Sequence, residues 1–228
     1  MVRKALTGSI PFLLVMAGFA AWGWIATPEG AQVPVHWDAS GAVNRTGGKV
    51  EAFVVIPAVA LGFAVLFGLA PLIDPRGKNL RRSASLYYTA FFSTMIVLTL
   101  VQGAMTLSAL GLMDAQQAAM PKIVASVTAV VLIAVGNVLG KARPNWFAGF
   151  RTPWTLTSDK SWDVTHRWAG RLMVLAGAAG LAALWLLPDT IGWTVLLGGA
   201  MAATIVPIVI SYLVWRKDPD RETFSARE

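Results

Sequence analysis

Six long stretches of this 228-residue chain contain no Asp, Glu, Lys or Arg, and they constrain its fold more than any other feature. They cover residues 5–28, 52–73, 83–113, 123–140, 172–188 and 190–215. A helix needs roughly 17 to 25 apolar residues to cross the hydrocarbon core of a bilayer, so each stretch is about long enough for one crossing. Barrel strands would alternate in polarity, which these stretches do not do. The sequence predicts an all-α, polytopic membrane protein with six transmembrane helices.

The composition argues against several other classes of protein. Hydrophobic residues make up 56% of the chain and charged residues only 14%, whereas a soluble domain carries about 25% charged residues. The chain contains no cysteine, which removes disulfides, thiol nucleophiles and cysteine-bound metals. The net charge is +7, but the basic residues fall in short clusters between apolar stretches. We therefore interpret them as the charges of loops between membrane helices, and we predict no direct binding of nucleic acid.

The distribution of Lys and Arg predicts how the chain is oriented. If the N-terminus is cytoplasmic, all but three of the 19 basic residues lie on the cytoplasmic side, and the exceptions are Arg45, Lys49 and Lys122. Cytoplasmic loops of membrane proteins carry this excess of Lys and Arg. We therefore predict that both termini are cytoplasmic. The first stretch is predicted to be a retained transmembrane helix and not a cleaved signal peptide.

Two polar segments are longer than a six-helix bundle requires. The first loop, defined as residues 29–51, contains Gly, Asp and Asn residues that favour a compact loop or a short hairpin, and we predict that it lies outside the cell. The motif segment, defined as residues 141–171, is predicted to be cytoplasmic. Pro144 and Pro153 exclude a continuous helix through its first half.

The second half of the motif segment can start a helix after an N-cap at Ser158, with Asp159 in the positive first turn. The fifth membrane helix is predicted to begin around Trp168, with Arg171 reaching to the interface. The fifth and sixth helices are then expected to meet in a tight hairpin at 188–189.

Two ionic contacts are expected in the motif segment. Asp163 and Arg167 are four residues apart, which predicts an ion pair on the surface of a helix. Arg151 has the acidic residues Asp159 and Asp163 within reach.

The residue types needed for catalysis or for a metal site do not cluster in this sequence. The two histidines, His36 and His166, are predicted to lie on opposite sides of the membrane, so they cannot share a metal ion. Each has one nearby carboxylate, Asp38 or Asp163, but two ligands make a weak site. No nucleophile with an adjacent base is present. We predict a protein that is not an enzyme and that uses no metal or cofactor.

The membrane stretches also contain few groups that a transporter would need. Ion-coupled pumps place ionisable side chains in the middle of the membrane. The stretches here carry only uncharged polar side chains, such as Gln102 and Asn137. A transporter or small-molecule permease is the alternative function, in which Asn137, Arg151 and His166 would line a pathway.

Tryptophan residues crowd the motif segment. They form either an aromatic belt at the membrane interface or, together with Arg151 and Pro153, a platform for a cytoplasmic partner protein. In the first loop, Trp37 is likewise either a membrane contact or a contact for an arriving amphipathic peptide. The tryptophans of the motif segment are Trp146, Trp154, Trp162 and Trp168.

The motif segment resembles the signature of the SdpI family of bacterial membrane proteins, and the first loop resembles the DUF1648 segment at the N-terminal end of the same proteins. The first match is carried by Asn137, Lys141, Pro144, Asn145, Gly149, Phe150, Arg151, Thr152, Pro153, Trp154, Thr155, Leu156, Trp162, His166 and Arg167. The second is carried by Pro34, Val35, His36, Trp37, Asp38, Gly41, Asn44, Arg45 and Lys49.

The resemblance implies both an organisation and a function. It divides the chain into residues 1–73, two transmembrane helices with the DUF1648-like loop, and residues 83–228, an SdpI-like four-helix region with its motif at 137–171. It implies a non-enzymatic immunity or signal-receptor protein of the bacterial cytoplasmic membrane, surrounded by membrane lipids, that confers resistance to a secreted antimicrobial peptide. The first loop would bind this toxin outside, and the motif segment would recruit a transcriptional repressor inside.

Overall fold

The computed structural model describes residues 1–38, 42–113 and 119–221 of the chain. Gly41 of the first loop and Arg227, one of the basic residues used to predict the orientation, lie outside the described residues. The described residues are 76% helical, which confirms the all-α prediction. Its elements are α1 (Val2–Ala26), β1 (Val33–Trp37), β2 (Val43–Gly47), α2 (Lys49–Phe53), α3 (Val55–Ile73), α4 (Gly77–Arg82), α5 (Ala84–Ala109), α6 (Ala119–Leu139), α7 (Pro153–Leu156), α8 (Asp159–Leu186) and α9 (Asp189–Arg216).

Six helical spans in the described residues are long and apolar enough to cross a membrane. They are Val2–Ala26, Lys49–Ile73, Ala84–Ala109, Pro121–Leu139, Asp159–Leu186 and Asp189–Arg216. The prediction of a multi-pass membrane protein with six such helices is confirmed. The cytoplasmic location of both termini stays a prediction.

The first loop contains the short hairpin that its turn residues predict. Strands β1 and β2 pair antiparallel, with Val33 opposite Gly47 and Trp37 opposite Val43. One side of the hairpin packs on a buried cluster, because Val33 is buried together with residues of α2 and α5. The cluster consists of Val33, Ala52, Phe53 and Met105.

The described helices divide into two compact units. One unit comprises Met1, Ala70–Ala90 and Ala129–Glu228 and contains the motif segment. The other comprises Val2–Leu69 and Phe91–Thr128 and contains the first loop. The division of the chain into residues 1–73 and 83–228 follows the family motifs and stays a prediction.

Helix α8 begins earlier than the predicted start near Trp168. The Oγ atom of Ser158 accepts a hydrogen bond from the backbone N–H of Ser161 (2.9 Å), which confirms the predicted N-cap, and Asp159 is the first helical residue. The polar first turns stay helical because one of their faces is buried, including Ser161 and His166. The polar turns that follow Ser158 and the apolar part of α8 are therefore one continuous helix.

The predicted hairpin between the last two membrane helices is present. Helix α8 ends at Leu186 and α9 begins at Asp189. Pro188 occupies the N-cap position of α9, where its missing N–H group costs no helical hydrogen bond.

Candidate functional site

A buried asparagine organises the loop between α6 and α7. The Oδ1 atom of Asn145 accepts hydrogen bonds from the backbone N–H groups of Phe147 (2.9 Å) and Ala148 (2.7 Å). Its Nδ2 atom donates to the carbonyl oxygens of Arg143 (2.8 Å) and Ala148 (3.3 Å). Asn145 is fully buried, so another loop conformation would leave polar groups without partners. The asparagine therefore stabilises one conformation of this loop.

The motif histidine uses both ring nitrogens within the motif segment. The Nε2 atom of His166 accepts a hydrogen bond from the backbone N–H of Phe150 (2.9 Å). Acceptance at Nε2 requires a neutral ring with its proton on Nδ1, and Nδ1 donates to the carbonyl oxygen of Trp162 (2.8 Å). Since His166 is also fully buried, no ring nitrogen is left for a metal ion or a substrate. This side chain joins α8 to the loop that precedes α7.

A glycine allows the loop to pass close to this histidine. Gly149 has a φ angle of +108°, a backbone conformation that residues other than glycine rarely adopt. A Cβ atom at this position would also overlap the Nε2 atom of His166. The hydrogen bond from Phe150 to His166 therefore depends on the absence of a side chain at residue 149.

Trp162 belongs to the core of the motif segment. It is fully buried, its Nε1 atom donates to the carbonyl oxygen of Ala142 (2.9 Å), and its ring stacks on His166 with a centroid separation of 4.0 Å. Neither alternative considered for the tryptophans, an interfacial belt or a partner platform, describes a side chain in this position.

The other three tryptophans of the motif segment are more accessible. Trp146 and Trp168 are 42% and 45% exposed. Trp154 is half-buried, with its ring edge against Tyr212 of α9 at a centroid separation of 5.2 Å. The two interpretations, an aromatic belt at the membrane interface and a platform for a partner protein, therefore concern these three residues and not Trp162.

The central residues of the motif start helix α7 and attach it to α9. The backbone N–H of Thr155 donates to Oγ1 of Thr152 (3.2 Å), and the N–H of Thr152 donates to Oγ1 of Thr155 (3.0 Å), which is a capping box. Pro153 follows at the first helical position, which proline favours. Oγ1 of Thr152 lies 3.1 Å from Oγ of Ser211 in α9. The sequence Thr-Pro-Trp-Thr thus forms a capped turn with a fixed position.

Arg151 does not make the acidic contacts that were expected for it. Its Nη1 atom donates to the carbonyl oxygen of Trp146 (2.8 Å), and its side chain is exposed. In the described parts of the chain no ion pair joins Arg151 to Asp159 or Asp163. Asp163 instead lies 3.9 Å from Arg167, which confirms the predicted pair on the helix surface.

The exposed face of the first loop carries two side-chain pairs. Nδ1 of His36 lies 2.6 Å from Oδ1 of Asn44 across the hairpin, and both residues are exposed. Arg45 forms an ion pair with Glu51 of α2, and the Arg45 side chain is 56% exposed. Exposed pairs of this kind contribute at most about 1 kcal/mol. These residues therefore present polar and charged groups to the surroundings without fixing the fold.

Three other residues of the first-loop motif hold the hairpin in place. Asp38 closes its tip, because Oδ1 accepts from the N–H of Ala42 (3.1 Å) and the N–H of Asp38 donates to the Ala42 carbonyl (2.9 Å). Lys49 pairs with Glu29 at 2.6 Å. Trp37 is half-buried and packs against the cluster around Phe53.

Comparison with known proteins agrees with these two sites. Residues 141–211 match the SdpI/YfhL protein family, and residues 12–61 match a domain of unknown function, DUF1648. The chain is therefore similar to the SdpI/YfhL family over this segment. The family resemblance inferred from the motif segment and the first loop is therefore confirmed.

One curated SdpI-family relative is Immunity protein SdpI of Bacillus subtilis (strain 168). It is 25% identical over 146 residues, which cover 64% of this chain and 66%, just under two thirds, of the relative. No solved structure matches the chain.

The turn between α3 and α5 holds the SdpI-family motif, and sequence reasoning missed it. Oδ2 of Asp74 accepts from the N–H of Trp146 (3.3 Å), and Nη2 of Arg76 donates to the carbonyl oxygen of Leu156 (3.3 Å). The sequence signal at this turn is a polar run between two membrane stretches, and its basic residues predict only the orientation of the chain. Two more contacts complete the attachment, from Asn79 Nδ2 to the carbonyl oxygen of Pro144 (2.9 Å) and from the N–H of Arg143 to Ser83 Oγ (2.8 Å).

The side chains of the transporter alternative do not come together in the described residues. Asn137 and Lys141 are exposed and line a groove beside α8. Arg151 is exposed elsewhere in the segment, and His166 is fully buried. The groove that Asn137 lines is lined by neither Arg151 nor His166.

Proposed function

We propose that this chain is an immunity and signal-receptor protein of a bacterial cytoplasmic membrane and that it protects the cell from a secreted antimicrobial peptide. The observation that carries the proposal is the similarity to the Bacillus subtilis immunity protein, which extends over 64% of this chain and beyond any single motif. A membrane protein with six spanning helices is also a suitable place to intercept a peptide that acts on the membrane.

The first loop is the proposed binding surface for the peptide. His36, Asn44 and Arg45 are exposed on the hairpin, so a ligand can reach them without unfolding the loop. Arg45 offers a cation to an acidic group of the peptide, and the half-buried Trp37 offers an aromatic edge to an apolar one. This pattern suits a peptide with both polar and apolar faces.

The motif segment is the proposed contact for a cytoplasmic repressor. Its buried hydrogen bonds around Asn145 and His166 make it a rigid surface, and Trp146 and Arg151 are exposed on it. A rigid surface loses little conformational entropy when a partner binds. The buried histidine has no free ring nitrogen, which supports a non-enzymatic role for the segment.

A challenge assay tests the proposal. A peptide-sensitive bacterial strain expresses this chain, and the control strain carries the same plasmid with an early stop codon. Both are exposed to a panel of secreted amphipathic peptides. We expect at least one peptide to kill the control at a concentration that the expressing strain survives. Equal killing curves for every peptide, with the protein detected in the membrane fraction, would contradict the proposed immunity.

Cysteine labelling tests the proposed orientation. The chain has no cysteine of its own, so single cysteines report one position each. Thr46 of the first loop and Lys160 of the motif segment are both exposed. In intact cells, a thiol reagent that cannot cross the membrane should label T46C and should not label K160C until the membrane is permeabilised. The reverse pattern would mean that the orientation is wrong.

A further inference from the structure

A groove on the unit that contains the motif segment has a charged end and an apolar end. It has a volume of about 530 Å³ and lies between the C-terminal part of α6 and the first half of α8. Lys141 and Arg171 line one part of it, and Val174 and Leu175 line another. Neither the immunity proposal nor the family motif assigns a ligand to this groove.

Glycines form the floor of the groove. A Cβ atom on Gly170 would lie 2.6 Å from the carbonyl oxygen of Gly136, and one on Gly136 would lie 2.7 Å from the carbonyl oxygen of Gly170. The two helix backbones are therefore in direct contact at this level, and no side chain covers the floor. The space above it is left to the longer side chains at its rim.

The cations at the rim lack a strong acidic partner. Among the residues described, no carboxylate pairs with Lys141 or Arg171, and Arg171 lies 5.9 Å from the ring centroid of Trp168. Arg167 lies 3.9 Å from Asp163, but its side chain is 64% exposed, so the pair is weak. The groove is thus lined by three cations, Lys141, Arg171 and the weakly paired Arg167. One further polar side chain lines it, the amide of Asn137.

The order of these groups along α8 matches the order of groups in a phospholipid. Arg167, Arg171 and Leu175 follow one another at intervals of four residues, so they lie on one face over about 12 Å of helix. The charged residues come first, and Leu175, which is 65% exposed, lies further into the membrane-spanning helix. A soluble anion or an acidic peptide would not need this uncovered apolar end.

We propose that the groove binds an anionic phospholipid, with its phosphate between Lys141 and Arg171 and an acyl chain along Val174 and Leu175. Basic pockets between transmembrane helices bind anionic headgroups in this way. The amide of Asn137 can donate a further hydrogen bond to a phosphate oxygen. The site is separate from the peptide surface proposed on the first loop, so it stands or fails independently of the immunity function.

Native mass spectrometry of the full chain in detergent tests this site. The protein is titrated with dioleoyl phosphatidylglycerol, with dioleoyl phosphatidylcholine, and with phosphatidylglycerol in the presence of inorganic phosphate. We expect tighter binding of phosphatidylglycerol, and we expect the double variant Lys141→Gln/Arg171→Gln to weaken it about 30-fold, since each cation near a lipid surface contributes a factor of about five. Binding of phosphatidylcholine should not change.

Two further variants make the result decisive. The control Lys160→Gln/Lys217→Gln removes the same charge from exposed positions outside the groove and should bind phosphatidylglycerol like the unaltered chain. Gly140→Leu adds bulk at the rim, where a Cβ atom has ordinary contact distances of 3.5 Å from Arg167, and should weaken binding without a change of charge. This variant decides the matter if the double variant does not fold.

Three outcomes would overturn the proposal. They are equal affinity of the unaltered chain for both lipids, equal losses in the groove variant and the control, and complete competition by inorganic phosphate at concentrations that leave phosphatidylcholine bound. The last outcome would identify a site for free phosphate and not for a lipid.

Discussion

The motif segment and the first loop are both polar connections between membrane helices, and both match known families, but they use their polar side chains in opposite ways. In the motif segment, Asn145, His166 and Trp162 are buried with partners for their polar atoms. In the first loop, His36 and Arg45 are exposed, and each pairs with a neighbour on the surface. The first arrangement specifies a fold, and the second leaves a surface available for another molecule.

The energetic consequences of the two arrangements differ. Removing one partner from a buried hydrogen bond leaves the other group unsatisfied and costs about 1 to 3 kcal/mol. Removing one partner from an exposed ion pair costs at most about 1 kcal/mol, because water replaces it. Substitutions of the buried residues in the motif segment should therefore act through stability. Substitutions on the exposed face of the first loop should act through binding.

The largest effect is expected from Gly149→Ala. The substitution combines the strain of a positive φ angle with an overlap onto Nε2 of His166, and we expect a loss of about 4 kcal/mol in the free energy of unfolding. Thermal melting in detergent measures it. The control is Gly48→Ala in the first loop, where φ is −78° and an added Cβ meets no atom within 4 Å. Equal melting temperatures for the two variants would contradict the rigid motif segment.

Asn145→Ala is expected to cost somewhat less, about 3 kcal/mol. It leaves the N–H groups of Phe147 and Ala148 without their acceptor in a buried loop. Asn44→Ala in the first loop is the matched change, since Asn44 is exposed and its side chain is hydrogen-bonded to the exposed His36. We expect less than about 0.5 kcal/mol there. A comparable loss in both variants would mean that burial does not distinguish the two regions.

The features that could be predicted from sequence are those that depend on neighbouring residues. The six membrane helices follow from uninterrupted apolar stretches, and the N-cap at Ser158 follows from a serine placed before a helical pattern. The hairpin follows from turn residues within the first loop. In each case the signal and the structure lie within one short window of the chain.

The contacts that sequence could not predict join distant parts of the chain. Asp74 and Trp146 are 72 positions apart, and no local pattern indicates that they meet. Gln102 is a second case, because it is fully buried and donates to the carbonyl oxygen of Ala52 (3.3 Å). From sequence alone it is one uncharged polar residue in an apolar stretch. A family motif marks residues that matter, but it does not say which of them are buried.

Trp37→Ala should have an intermediate effect on stability, because Trp37 is neither fully buried nor fully exposed. The half-buried side chain packs against the cluster around Phe53, so we expect a loss of about 1 to 2 kcal/mol in the free energy of unfolding. Trp22→Ala on α1 removes a tryptophan that is 46% exposed and lies outside this cluster, and it should cost less. A Trp37 variant that melts like the unaltered chain would show that the ring is not part of the hairpin core.

The smallest effect on stability is expected from Arg45→Ala, and this variant separates folding from function most clearly. The Arg45 side chain is 56% exposed, so its loss should change the free energy of unfolding by less than about 0.5 kcal/mol. If the first loop binds an amphipathic peptide, the same variant should lose protection in the challenge assay while its melting temperature and membrane level stay unchanged. Glu51→Ala removes the other half of the ion pair and is the control, because it leaves the cation in place. Full protection by the Arg45 variant would exclude this cation from the binding surface. Equal loss of protection in both variants would assign the effect to the ion pair and its hairpin geometry.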